Sequence, residues 1–307
     1  MAGDNVLVEF FKLIYTILFS ILESIFYCFV SKKEKSVTDE IALVTGAGSG
    51  IGRLIAIELS KRGCILLLLD INPVSLEETA SIIRNSKGKS YKYVCDLSIR
   101  QNIHDTMAKI AKDIGDVDIL INNAGIVTGK SILDASDEEI EKTLDINLMA
   151  HFWLIRSVLP SMLARNHGHI VTIASVAGLA GINKMTDYSA SKFGAVGLDD
   201  SLRQEIIHLN KTGVKTTCIC PYYINTGMFH GVKTKFPKIT PILKPEYVSH
   251  KIVKAILTDQ VILVIPKIIH LLLMLKSLLP TRGFQAVCDF FEVNKDMASF
   301  RGRRGNM

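Results

Sequence analysis

The sequence predicts an α/β protein: a doubly wound parallel sheet of about seven strands, preceded by an N-terminal hydrophobic anchor helix. Three observations carry this. From residue 40 onward, short aliphatic runs alternate with helical stretches. The runs are apolar throughout rather than at every second position, as strands covered on both faces are. Residues 6–30 read VLVEFFKLIYTILFSILESIFYCFV, long enough for a bilayer crossing of ~20 apolar residues.

The N-terminal segment comes first. No basic residues precede it and no small-residue cleavage site closes it, so it is a poor secretory leader. Glu9, Lys12, Thr16, Ser20 and Glu23 are spaced 3, 4, 4 and 3, which puts them on one helical stripe with Phe, Ile and Leu elsewhere. A charge at mid-bilayer costs at least ~2.5 kcal/mol, which disfavours a plain span. A helix lying in the membrane interface, or a hairpin, keeps the stripe wet. A single span and a buried core helix are the other readings. Lys32, Lys33 and Lys35 follow. They favour a cytosolic location for the rest of the chain if the segment is in a membrane, and are an ordinary solvated linker if it is not.

The strands are expected at 41–45, 65–69, 91–95, 117–121, 169–174, 214–220 and 262–265, with helices at 52–62, 76–86, 101–114, 138–149 and 187–208. Such alternation implies a parallel, doubly wound sheet. Residues 227–245, with Pro237, Pro241 and Pro245, predict a loop or short-helix insertion over the site. Residues 266–279 (PKIIHLLLMLKSLL) place Lys267, His270 and Ser277 on one helical face, for a second membrane-touching helix or a packed C-terminal one. Arg301, Arg303 and Arg304 form a basic tail, a solvated end or a weak attraction for anionic lipid. The domains are therefore expected at 1–36 (anchor and basic junction), 37–265 (the α/β domain) and 266–307 (C-terminal helix and tail).

Composition narrows the function. Charged residues make up 21% of the 307 and hydrophobic ones 48%, with only 22 aromatics, so the excess is aliphatic. This excludes a disordered chain and a disulfide mini-protein. The net charge of +6 comes with no dense Lys/Arg face, so no nucleic-acid partner is expected. Cys28, Cys64, Cys95, Cys218, Cys220 and Cys288 form no CxxC pair. They read as buried free thiols on a cytosol-facing protein, and no metal site is expected.

The first strand runs into Thr45-Gly46-Ala47-Gly48-Ser49-Gly50-Ile51-Gly52. A glycine-rich turn between a strand and a helix exposes backbone N–H groups to a pyrophosphate, as in Rossmann folds. The strict GxGxxG spacing is absent, and a plain structural loop remains an alternative. Asp70 ends the next run, 18 residues after Gly52, where a carboxylate accepts from the adenosine ribose 2′-OH and repels a 2′-phosphate. No Arg or Lys stands at 71 or 72, so NAD is expected over NADP. A turn-capping Asp before Asn72-Pro73 is the structural alternative.

Tyr188-Ser-Ala-Ser-Lys192 puts a phenol and an ammonium one helical turn apart. A phenol of pKa ~10 exchanges protons near neutrality only if shifted by ~3 units. An adjacent ammonium and a cationic nicotinamide both favour phenolate. A YxxxK pair alone is also an ordinary amphipathic helix with a solvated Lys.

In order along the chain stand Thr45–Gly52, Asp96 after the third strand, Asn122-Asn123-Ala124-Gly125 after the fourth, then Asn147. Ser175 follows the fifth strand, with Tyr188 and Lys192 13 and 17 residues later, then Pro221 and Thr226. Through these residues the chain resembles the short-chain dehydrogenase/reductase superfamily over nearly all of 40–265. The resemblance implies a catalytic set of Asn147, Ser175, Tyr188 and Lys192. Tyr188 would be the general acid/base and Lys192 would lower its pKa and hold the nicotinamide ribose. Ser175 would hold the substrate oxygen, and Asn147 a water that relays protons. The cofactor would lie against Gly46, Ser49, Gly50, Ile51, Gly52, Asp70, Asp96, Leu97, Asn123, Ala124, Gly125 and Thr226, as well as Tyr188 and Lys192. Asp96 as a turn residue and Asn147 as a packed polar group are the bland readings. Pro221-Tyr222-Tyr223 departs from the family's usual Pro-Gly and is expected to narrow or grease the pocket.

The greasy N-terminus, GAGSGIGRL, LLDIN, VDILINNAGIVTGK, HGHIV, SKFGAVG, KTTCICP and TGMF together resemble that family's membrane-bound branch of retinol dehydrogenases and 17-beta-hydroxysteroid dehydrogenases. The resemblance implies NAD-dependent oxidation of a lipophilic alcohol, all-trans-retinol first and a steroid or other lipid alcohol second. It implies the cytosolic face of the endoplasmic reticulum membrane or a lipid droplet, and a homodimer through the helices bearing Asn147 and Tyr188. A surface protein using an enzyme fold mainly for attachment is the rival class.

Overall fold

The computed structural model describes residues 2–302, with the side chains at 2–5, 28 and 29 excepted. Arg303 and Arg304 of the expected tail, and the Cys28 side chain, lie outside the described residues. The chain divides into two compact units, Met1–Lys35 and Ser36–Met307.

The first unit is built on one helix, α1 (Ala2–Phe29). Its polar stripe turns inward on its own backbone: Thr16 donates to the Lys12 carbonyl and Ser20 to that of Ile17, each at 2.8 Å. Phe11, Tyr15, Leu18, Leu22 and Phe26 are all exposed, so nothing in that unit covers the apolar faces. Among the described residues no helix is long and apolar enough to cross a membrane.

The second unit begins with β1 (Ile41–Thr45), α2 (Gly50–Ser60), β2 (Ile65–Asp70), α3 (Pro73–Asn85), β3 (Lys89–Val94) and α4 (Arg100–Asp113). It continues through β4 (Ile119–Asn122), α5 (Asp137–Leu144), a π-helical turn (Asp145–Met149), α6 (Ala150–Arg165), β5 (Gly168–Ile173) and α7 (Thr186–His208). It closes with β6 (Val214–Pro221), α8 (Pro245–Leu257), β7 (Ile262–Ile265), α9 (Ile268–Leu278) and α10 (Thr281–Phe291). The strands form a parallel seven-stranded sheet in the order β3-β2-β1-β4-β5-β6-β7, the expected doubly wound arrangement.

Side-chain alternation along the strands divides the core in two. Ala42, Val44, Leu66, Leu68, Ile119, Ile121 and Val171 pack with Ile55 and Leu59 of α2 and Ile252 and Ile256 of α8. Leu43, Leu67, Leu120 and Ile170 pack on the other face with Ile103 of α4 and Leu154 and Val158 of α6. Each fully buried Leu or Ile contributes ~1.5–3 kcal/mol, so both layers are needed to hold the sheet. Local signals set the helix starts. Asn72 accepts from the Val74 and Ser75 N–H groups, with Pro73 at the first helical position of α3. Ser136 and Glu139 form a capping box at the start of α5.

The helix expected to end at 149 instead runs on to Arg165. Pro160 inside α6 and the phase change of the π-helical turn break the 3.6-residue pattern that sequence reading follows. The helix α8 begins at Pro245, where a loop was expected to end. Cys64, Cys95, Cys218 and Cys220 are buried free thiols, and Cys288 is half-buried and free.

Candidate active site

A cleft of about 320 Å³ opens at the carboxyl ends of the strands. Its walls follow the sheet order: Cys95, Asp96 and Leu97 after β3, Asp70 and Ile71 at β2, Gly46 after β1, then Asn123, Ala124 and Gly125 after β4. Ala174 and Ser175 after β5 and Pro221 and Tyr222 at β6 complete the row. Six adjacent strand ends at ~4.8 Å spacing span about 24 Å, room for an extended dinucleotide rather than a compact metabolite.

The glycine turn is shaped for a phosphate. Gly50 opens α2 at φ +57°, and a Cβ there would meet only Thr226, at 3.6 Å, so the helix start faces open space. A Cβ on Gly52 would run into the Gly46 carbonyl and the Asn123 amide, which fixes how closely turn and helix pack. The first turn of α2 carries no acid, leaving its positive end available to an anion. Asp70 accepts from the Gly48 N–H at 2.9 Å and from the Asn72 N–H at 3.1 Å, and still lines the cleft. Arg53 is tied back to the Gly48 carbonyl and to Glu78. Asp96 accepts from the Ser98 N–H and hydroxyl at 2.9 and 2.7 Å, so it does serve a turn while lining the cleft.

The β1 and β4 ends are locked together. The Thr45 hydroxyl accepts from the N–H groups of Asn123 and Ala124, both at 2.9 Å, and the Asn123 amide donates to the Thr45 carbonyl at 2.8 Å. The π-helical turn aims Asn147 at the following segment. Its Oδ1 accepts from the Ile126 N–H at 2.8 Å, and its amide donates to the Ile126 carbonyl at 2.9 Å and to Ser191 at 3.1 Å. Ser191 donates in turn to the Tyr188 carbonyl at 2.7 Å. A Cβ on Gly125 would stand 3.2 Å from Asn147 Oδ1 and 3.6 Å from Lys192 Nζ, so these three positions meet.

Tyr188 and Lys192 sit one turn apart on the inward face of α7, at 5% and 3% exposure. The Tyr188 hydroxyl faces that of Ser175, which draws its pKa down, but burial outweighs this and pushes the phenol up to about 12. Burial pulls Lys192 down to about 8. Its ammonium donates to the Ile173 carbonyl at 2.8 Å and stands 5.7 Å from the centre of the Tyr188 ring. Ser175 also caps the short turn after β5, accepting from the Ala177 N–H at 3.1 Å. All the residues expected from the sequence at the cofactor and catalytic positions thus come to one crevice, Gly52 and Asn147 from just behind its wall.

The side of Tyr188 away from the strand ends is apolar. Ala177, Met185, Tyr188, Tyr223, Val232 and Met297 form one buried cluster. Phe229 makes edge contacts with both Tyr188 and Tyr223, at centroid distances of 5.9 and 5.2 Å. A small second pocket shares Ser175, Tyr222 and Phe229 with the large cleft. Sequence reasoning missed what closes this side: a strap at residues 293–301. Tyr222 donates to buried Asp296 at 2.9 Å, Ser299 donates to the Gly231 carbonyl at 2.6 Å, and the Arg301 N–H donates to the His230 carbonyl at 2.9 Å. The Phe300 ring occupies the space a Cβ on Gly129 would need. The only hints in the sequence are Met297 and Phe300, two apolar residues in a polar stretch with no period. Among the described residues no group of three or more His, Cys, Asp or Glu could hold a metal ion.

A family model for short chain dehydrogenases matches residues 40–236. The chain is 43% identical over 288 residues to epidermal retinol dehydrogenase 2 of Mus musculus, covering 94% of this chain and 93% of that one. It is 38% identical over 327 residues to retinol dehydrogenase 10 of Homo sapiens, covering 98% and 96%. Among solved structures it is similar to a metagenomic short-chain oxidoreductase in complex with NADP. That match has a TM-score of 0.62 and 26% identity, over 75% of this chain and 96% of the other.

Proposed function

Because the chain belongs to the short-chain dehydrogenase family and is an NAD(P)-dependent oxidoreductase, we propose that it oxidises a lipophilic alcohol, all-trans-retinol to retinal, with NAD. One observation carries the reading. The Tyr188 and Ser175 hydroxyls face each other where the long cleft and the apolar aromatic pocket share walls. A primary alcohol on an apolar chain would set its hydroxyl at the polar pair and its hydrocarbon along Tyr222, Met228 and Phe229, which line the large cleft beside Tyr188. Relatives across nearly the whole chain named as retinol dehydrogenases support the retinoid choice.

What the dinucleotide supplies when bound is an acceptor for the carbinol hydride. The chain's residues do the rest. The α2 start and the Gly46–Gly50 turn would hold the dinucleotide's phosphates. Asp70 would receive the adenosine ribose, and its carboxylate would disfavour a 2′-phosphate there, which supports NAD. Ser175 orients the alcohol oxygen by a hydrogen bond, and Tyr188 takes its proton. Tyr188, whose phenolate burial opposes, would be helped to ionise by the positive charge that the oxidised cofactor supplies when bound. Lys192 holds its ammonium 5.7 Å from the centre of the Tyr188 ring, and Asn147 fixes the adjacent 125–126 backbone.

The apolar faces of α1 and the exposed Leu271, Met274 and Leu278 of α9 support attachment to a membrane surface, with the stripe of Glu9, Lys12 and Glu23 wet. Exposed Lys32 and Lys33 and the free cysteines support the cytosolic face of the endoplasmic reticulum or of a lipid droplet. On this reading 1–36 is the anchor and basic junction, 37–265 the enzyme domain and 266–307 a C-terminal helix and tail, with pairing of two copies through the helices bearing Asn147 and Tyr188.

The test is a substrate panel on membranes containing the protein. Retinal should form from retinol with NAD⁺ and not in the Tyr188→Phe variant. Turnover of estradiol with none of retinol would replace the retinoid with a steroid.

A further inference from the structure

Ser175 borders two spaces of very unequal size. On one side is the cleft of about 320 Å³, which also has to take the dinucleotide. On the other is a void of about 10 Å³, closed by Ala177, Met185, Tyr222, Tyr223 and Phe229. A void of that size holds about one water at most. Tyr222 and Phe229 line both spaces, so these two rings divide them. After Pro221 the family resemblance leads to an expected glycine, which would leave Phe229 alone as the divider. This chain places Tyr222 there.

The Tyr222 ring is held from several directions. Its backbone N–H donates to the Ile265 carbonyl at 2.9 Å, which continues the pairing of β6 with β7. Its ring packs at 64° to that of Tyr223, with 4.7 Å between centroids. Its hydroxyl donates to Asp296 at 2.9 Å, and burial pushes the phenol's pKa up, so it stays a donor. Asp296 is itself 4% exposed and fixed from outside. Its backbone carbonyl accepts from the Lys233 N–H at 3.3 Å, and the nearby Asn294 carbonyl accepts from the Asn183 amide at 2.9 Å. A tyrosine turns about its Cα–Cβ bond between staggered positions. The bond to Asp296 selects one of them.

A carbinol carbon that can be oxidised carries its hydroxyl, a hydrogen that leaves as hydride, and two further groups. In a primary alcohol one of those two is hydrogen; in a secondary alcohol both are carbon. With the hydroxyl at Ser175 and Tyr188, one carbon chain can run along the cleft past Met228 and Phe229. A second would have to enter the void of about 10 Å³ or push Tyr222 aside. We infer that Tyr222, held in place by Asp296, makes this site selective for primary alcohols. Tyr222 is the specificity-determining residue, and Asp296 is a positioning residue that acts through it. The inference rests on the alcohol oxidation proposed above and narrows its substrate class. A misfit of about one methylene in an apolar pocket shifts selectivity roughly 10–200-fold.

The probes are a matched pair, 1-decanol and 4-decanol, given to the full-length protein in membranes with whichever of NAD⁺ and NADP⁺ it uses. The readout is the ratio of their kcat/KM values, which a loss of folded enzyme does not move. The wild type should favour 1-decanol by about 100-fold. Tyr222→Ala should bring the two within about fivefold, by raising kcat/KM for 4-decanol. Should that variant not fold, Tyr222→Val fills more of the space and shifts the ratio the same way by less. Asp296→Leu, which cannot accept from the phenol, should lower the ratio about tenfold. Asp296→Asn still accepts and should keep it. A wild type that oxidises both isomers alike overturns the inference, as does a Tyr222→Ala ratio equal to the wild type's. Asp296→Leu slowing both alcohols equally would overturn the part given to Asp296. If retinol is turned over but the isomers are not distinguished, the retinoid reading stands and this inference falls. If retinol is not turned over but 1-decanol is favoured and Tyr222→Ala removes the preference, only the retinoid choice has failed.

Discussion

The ammonium of Lys192 is hydrogen-bonded to the carbonyl oxygen of Ile173 at 2.8 Å, not to the phenol it was expected to activate. Burial without a bonded cation leaves Tyr188 at about 12. The cofactor-free protein should therefore show no phenolate from Tyr188 below about pH 11, read by 295 nm difference titration against Tyr188→Phe. An ionisation near neutrality that the variant loses would mean Lys192 tunes the phenol unaided. Tyr188→Phe should lower kcat by about 10²–10⁴-fold with cofactor binding intact.

Asp70 has two tasks, and they separate in one variant. Asp70→Ala frees the Gly48 and Asn72 N–H groups and removes the negative charge from the cleft. The apparent KM for NAD⁺ should rise about tenfold, as for loss of a charged hydrogen bond, and that for NADP⁺ much less. Equal changes for both would leave Asp70 as a loop brace only.

Asn147 binds both backbone polar groups of Ile126. Asn147→Leu strands that N–H and C=O in a buried place, at roughly 1–3 kcal/mol each. A fall of several degrees in Tm, together with loss of turnover, is expected by calorimetry and initial rates. An unchanged Tm would show that the 125–126 segment finds other partners.

Asp296 gives a pH signature. Burial raises its carboxyl from the ordinary 3.8 to about 6. The folded chain then binds more protons than the unfolded chain between those values. That stabilising contribution is complete below about pH 4 and is lost as pH rises through about 6. Asp296→Asn keeps an acceptor for Tyr222 without the charge. It should melt less steeply with rising pH than the wild type between pH 5 and 7, and be no less stable at pH 7.5. A variant whose melting tracks the wild type at every pH would remove Asp296 as the titrating group.

The sheet and its parallel order were legible because each strand and helix depends on nearby sequence, and the crevice residues were legible through the family resemblance. Aliphatic runs such as 65–69, too short for a helix and bounded by Gly63 and Pro73, read as doubly covered strands, and Gly46–Gly52, Asn122–Gly125 and Tyr188–Lys192 each sit at a strand end or on one helix. What stayed hidden depends on distant packing. The π-helical turn at Asn147 has no local signature, α6 buries His151 and contains Pro160, and the 293–301 strap gains its place from Tyr222 and Gly231 rather than from any periodicity. Lys192 bonding Ile173 is a matter of depth, which spacing along a helix does not encode.

The residues expected to hold the dinucleotide end by 226, while Met297 and Phe300 arrive from the far end of the chain to back the apolar cluster beside Tyr188. Trimming the last fifteen or so residues would take away the Asp296 partner of Tyr222 and the backing of Met297, so the aromatic wall beside Tyr188 depends on the far terminus of the polypeptide.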